Sequence, residues 1–198
     1  MTKRIKETLK KAVKDFKGGF KVSFMRNAKL KLVKENDTNV GVITDYVQYK
    51  DSKIPVIYCP ESVQESNGAF CTVNVFEGEY RIVIDDNYLV MPEKVQQFAI
   101  QQAFGILNSL PNNRTLYDTF KADKYAAQQV GIEQSIEALA YMWAMACCDM
   151  EQLLPKCLSI PCRIKELGGD VTGMYVQNSE GKIFYEKDLR EAFEQMYK

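Results

Sequence analysis

The 198-residue chain contains no histidine. That absence removes imidazole metal ligands, Ser–His and Cys–His nucleophile pairs, and histidine acid–base catalysis together. Neither charge is in excess: 26 lysines and arginines balance 26 aspartates and glutamates, which argues against a globally basic nucleic-acid binder. No run approaches the roughly 18 apolar residues of a membrane span, so none is expected. The basic opening, MTKRIKETLKKAVKDFKGG, is not followed by the apolar stretch of a secretory signal. The six cysteines are too sparse for a disulfide scaffold and are expected as reduced thiols in the cytoplasm. There is no internal repeat, no low-complexity tract and no long linker.

What is present is ordinary globular material. The hydrophobic fraction of 46% suffices for the core of about one domain. Ile5, Leu9, Val13 and Phe16 fall at helical spacing in a lysine-rich segment. Residues 1–19 are therefore expected as a basic amphipathic helix, ended by Gly18-Gly19. Seven basic residues there outnumber Glu7 and Asp15, a local charge of about +5. Any nucleic acid or anionic surface would be met through this segment. A solvated helix packing one narrow stripe on the body is the plainer role.

From Phe20 to Asp86 the pattern changes to strands. FKVSF, KLKLV, VGVITDYVQY, IPVIYC, FCTVNVF and YRIVID alternate or run apolar. Glu77-Gly78 between the last two reads as a hairpin turn. The expectation is a mostly antiparallel sheet of about four to six strands. Asp85-Asp86 is placed at a strand end, where adjacent carboxylates do not converge on a cation.

Helices follow from Pro92, a residue suited to a first helical turn. Val95, Phe98, Ala99, Gln102, Ala103, Ile106, Leu107 and Leu110 form one stripe, which Gln102 interrupts. A polar amide at such a position needs hydrogen-bond partners or borders a cleft. Further helices are expected over 119–130, over 132–149 and at RIKEL. GMYVQ and KIFYE around Asn178–Gly181 read as a second hairpin, and a helix over 186–197 closes the chain. Strands first and helices after give the α+β class. The divisions expected are the basic helix 1–19, a single α+β domain over 20–165, and an appended hairpin and helix over 166–198.

The succession IVIDDNYL, MPEKVQQFAIQQAFGIL, TFKADKYAAQQVGIEQSIEAL and RIKEL resembles the HExxH zinc metallopeptidases of the zincin class over residues 80–165. In that family an edge strand precedes a helix whose two histidines, one turn apart, bind zinc. The glutamate beside the first histidine is the general base, and a second helix supplies an acidic ligand. Aligned on Gly105, the first histidine position holds Gln102, the base position Ala103 and the second histidine position Ile106. Aligned on Ala122-Asp123, the acidic-ligand position holds Thr119. Only Asp123 matches, at a position that in the family supports the first ligand. An amide, a methyl, a sec-butyl and a hydroxyl cannot assemble a zinc site. The resemblance thus implies a pseudopeptidase with no metal, no cofactor and no catalytic residue. Its fold would serve as a protein-binding or assembly module, able to form an oligomer.

Two alternatives stand beside it. One is a structural or accessory component of a larger assembly such as a phage particle, which would place the protein in a virion. The other is an enzyme using a cysteine or a carboxylate pair. Cys147, Cys148, Cys157 and Cys162 lie close in sequence but lack paired zinc-ligand spacing, so buried free thiols are the better expectation. Arg114 near the presumed cleft could meet an anion. Gly168-Gly169-Asp170 is too little for a nucleotide loop.

Overall fold

The computed structural model describes residues 31–35, 38–59, 70–76, 78–109, 116–148, 150 and 154–196. The helix expected over 1–19, the stretch FKVSF and Arg114 lie outside them. The chain divides into two compact units, Met1–Met91 and Pro92–Lys198. That boundary falls inside the 20–165 span.

The first unit is a five-stranded sheet built from β1 (Lys31–Glu35), β2 (Thr38–Tyr49), β3 (Ser52–Tyr58), β4 (Cys71–Phe76) and β5 (Glu79–Ile84). The strand order is β1-β2-β3-β5-β4. Three pairings are antiparallel, as expected, but β3 and β5 run parallel, with Val56 opposite Ile82 and Tyr58 opposite Ile84. The sheet is therefore mixed. The β4–β5 hairpin joins the sheet through its second strand, and Val73 of β4 is buried beside Ile82 of β5. The strand order makes β5 an interior strand and β4 the edge, although the zincin resemblance implies an edge strand before the first helix. Two tight turns use left-handed backbone, at Lys50 (φ 52) between β2 and β3 and at Gly78 (φ 82) between β4 and β5.

Asp85 fastens one end of this sheet. Its carboxylate accepts from the backbone N–H of Phe70 at 3.0 Å and of Tyr88 at 2.9 Å. The second bond caps the short helix α1 (Asp86–Leu89). The first holds Phe70, a buried residue with φ 68, in a conformation costly for an L side chain. Asp86 turns elsewhere and accepts from the Tyr58 hydroxyl, so the two carboxylates do not converge and the strand-end role expected of them is what the structure gives. Burial, aided by Asp86, raises the Tyr58 phenol above its ordinary range.

The second unit contains α2 (Glu93–Ser109), α3 (Leu116–Val130), α4 (Ile132–Cys148), α5 (Leu154–Cys157) and α6 (Ile160–Glu166). It ends with the hairpin β6 (Tyr175–Gln177) and β7 (Ile183–Tyr185), followed by α7 (Glu186–Met196). Gly131 (φ 96) separates α3 from α4, and Gly168 (φ 86) follows α6. In the hairpin the Asn178 side chain accepts from the N–H groups of Glu180 and Lys182. Asp188 reaches back to the N–H of Tyr185 at 2.9 Å, the reciprocal half of a capping box. The α+β class and the order of strands, helices, hairpin and last helix agree with the sequence. Among the described residues no helix is long and apolar enough to cross a membrane.

Replacing Asp85 with Ala strands two backbone donors, one of them buried, and removes a cap. A loss of about 2 kcal/mol is expected in urea denaturation, with Asp85→Asn losing less.

Candidate functional site

Three helices of the second unit each carry one polar residue inside an otherwise apolar stripe. On α2, Gln102 follows Val95, Phe98 and Ala99. On α3, Asp123 lies between Phe120 and the Ala126-Ala127 pair. On α6, Arg163 lies between Ile160 and Ile164. All three are buried, with exposures of 9% for Gln102, 1% for Asp123 and 8% for Arg163. Burying a polar group is tolerable only when it is hydrogen-bonded, and burying a charge only when it is paired.

These three interruptions meet one another. Asp123 Oδ1 accepts from Gln102 Nε2 at 2.9 Å and from Arg163 Nη2 at 2.8 Å, while Oδ2 accepts from Arg163 Nε at 2.8 Å. The arginine contact is bidentate, the strongest geometry for a guanidinium on a carboxylate. Gln102 thus has the partner that its place in the stripe demanded, and Asp123 is its direct neighbour.

The contact depends on how closely α2 and α3 approach. A Cβ on Gly105 would lie 2.6 Å from Ala122 Cα and 2.8 Å from its carbonyl oxygen. Only glycine allows that crossing, and the small Ala122 faces it. The two anchors of the sequence alignment, Gly105 and Ala122, are therefore the point where the helices touch. A short connection between two helices favours an antiparallel return. In that register Ile106 lies one turn beyond Gln102, and Thr119 one turn before Asp123, on the same stretch of the pair. Both are half-buried, whereas Ala103 is fully packed in the core.

The chemistry of this arrangement is limited. The Asp123 carboxylate is occupied by three donors from two side chains, so neither oxygen is presented to a substrate. Gln102, Ala103, Ile106 and Thr119 supply no anionic ligand. Among the described residues no three Cys, Asp or Glu side chains gather in a way that could hold a metal ion.

Arg163 is the residue that the sequence reading missed. Its signal was available: Ile160, Arg163, Ile164 and Leu167 fall at i, i+3, i+4 and i+7, so the arginine interrupts an apolar stripe as Gln102 does.

The cysteines do not form a shared site. Cys157 and Cys162 are buried, as expected, but Cys147 and Cys148 are exposed at the end of α4, because their helical turn leaves the packed face. All six are free thiols. Burial, with Glu186 adding to it, pushes the Cys162 thiol up to about 11. Burial also raises Cys147, helped by Cys148, and raises Cys71, helped by Asp85. A nucleophilic cysteine needs the opposite shift.

Lys124 Nζ lies 2.7 Å from Glu166, on α6, and holds its carboxyl below the usual range, with Arg190 adding to the effect. A depressed folded-state value stabilises the fold above the unfolded value of about 4.3 and is lost as pH falls through the folded one. Lys124→Met is expected to flatten the stability profile between about pH 5 and 3 in denaturation series. Gly105→Ala should cost about 1–3 kcal/mol through overpacking, despite a helix-propensity gain of about 1 kcal/mol. Gln102→Ala should cost about 1–2 kcal/mol by removing a donor from a buried carboxylate. Comparison with family models, with curated proteins and with solved structures finds no match for this chain.

Proposed function

We propose that this chain is a zincin-like protein without zinc chemistry, a pseudopeptidase whose helical unit serves as a protein-binding or assembly module. The observation that carries the reading is the Asp123 network. Asp123 matches the family position that supports the first metal ligand, and here it is spent on Gln102, which occupies the ligand position itself. A side chain held that way braces helices and does not prepare a water for attack. The reading includes no catalytic residue, no metal and no cofactor. It places the protein in the cytoplasm, with a protein as partner.

A structural role in a larger assembly, such as a virion component, is favoured by one observation. The outer face of the β6–β7 hairpin exposes Tyr175, Ile183 and Tyr185, the two tyrosine rings 6.2 Å apart. Tyrosine-rich exposed faces are common at protein interfaces. A defined oligomer at micromolar concentration would favour this role; a monomer would favour a module that binds a different protein.

Elemental analysis of the purified full-length chain is expected to find fewer than about 0.1 zinc per chain. The triple variant Gln102→His, Ile106→His, Thr119→Glu, with Asp123 retained, is expected to bind about one zinc per chain, because it restores the ligand set on the same two helices. Stoichiometric zinc in the unaltered protein, or proteolysis abolished by a chelator, would overturn the proposal.

A further inference from the structure

The last part of the second unit is attached differently from the rest. In α7 only Leu189 is fully buried, and each strand of the hairpin turns one half-buried residue inward between two exposed ones. By contrast, α2 buries eight residues. The attachment is a single cluster in which Val176, Phe184, Leu189 and Phe193 cover Phe120 of α3 and Cys162 of α6.

Two side chains of α7 make polar contacts with the helices beneath: Glu194 accepts from the Tyr117 hydroxyl at 3.3 Å, and Arg190 makes several. Arg190 donates to the carbonyl of Cys162 at 3.2 Å, lies 3.6 Å from Glu166 and stacks over the Phe120 ring at 5.2 Å. The Cys162 thiol in turn lies 3.5 Å from the Glu186 carbonyl. The connection into this segment contains a fixed point and a free one. A Cβ on Gly169 would lie 2.6 Å from the Ile164 side chain and 3.1 Å from that of Ile136, so Gly169 is packed into the helical body. Gly173, with φ 81, has nothing within 4 Å of such an atom and can absorb a change of direction.

Segments with little buried apolar area open at a lower free energy than the core that carries them. We propose that residues 174–196 form a strap that swings about Gly173 as one unit, uncovering the apolar surface of Phe120 and Cys162 while the helices beneath stay folded. The hairpin and α7 move together because Asp188 ties the start of the helix to Tyr185. Arg190 is the pin that sets how often the strap opens.

Cys162 reports the opening and Cys157, buried outside this cluster, reports unfolding of the body. Pulse alkylation of the full chain with N-ethylmaleimide, read by peptide mass spectrometry, should be run in urea below the transition of Trp143 fluorescence. Cys162 is expected to label at least about tenfold faster than Cys157. Arg190→Ala should speed Cys162 by about a further tenfold, the worth of a charged hydrogen bond, and leave Cys157 unchanged. Arg190→Lys, which keeps the charge but loses the stacked fork, should fall between. Labelling of both cysteines in step with the Trp143 transition would overturn the proposal. So would an Arg190→Ala effect on both cysteines, or on neither.

Discussion

A carboxylate that is 1% exposed must be compensated, and in this protein the compensation organises the helical unit. A bare carboxylate in the interior costs several kcal/mol. Arg163 supplies the countercharge through two parallel bonds, and Gln102 fills a further acceptor position on Oδ1. One side chain comes from each of three helices, so satisfying the charge fixes their mutual register. Apolar packing alone tolerates sliding, whereas a bidentate pair does not. The Gly105–Ala122 contact sets how near α2 and α3 lie and so whether Gln102 reaches Asp123 at all.

The same constraint bears on function. A buried ion pair contributes little to net stability compared with well-packed apolar residues of the same volume. Its place at the meeting point of three helices points to specificity of arrangement. The thiols whose titration is displaced are displaced upward, away from nucleophilic chemistry. The outer face of the last hairpin leaves Tyr175, Ile183 and Tyr185 exposed to solvent.

Much of this architecture was legible in the sequence because it is local. The stripe from Val95 to Leu107 gave α2, Gly131 gave the break between α3 and α4, and Asn178–Gly181 gave the last hairpin. Gln102 was recognisable as a residue in need of a partner. Its partner Asp123 had been singled out by the family resemblance, but their direct bond had not. What could not be read was non-local. The parallel pairing of β3 with β5 depends on where a hairpin inserts after a long connection, which no strand pattern encodes. Arg163 lies forty positions from Asp123 and was hidden in a segment read only as a short helix. The exposure of Cys147 and Cys148 follows from which face of α4 finds neighbours, a matter of packing and not of residue type.

The most direct test is a double-mutant cycle between Asp123 and Arg163, measured by urea denaturation of the full chain. Asp123→Asn and Arg163→Gln should each be strongly destabilising, by about 3–5 kcal/mol, since each leaves a buried charge alone. The double variant should cost no more than either single one, a coupling of at least about 3 kcal/mol. Additive losses would contradict the account, because the two side chains would then act independently and the helices would owe their register to apolar packing alone.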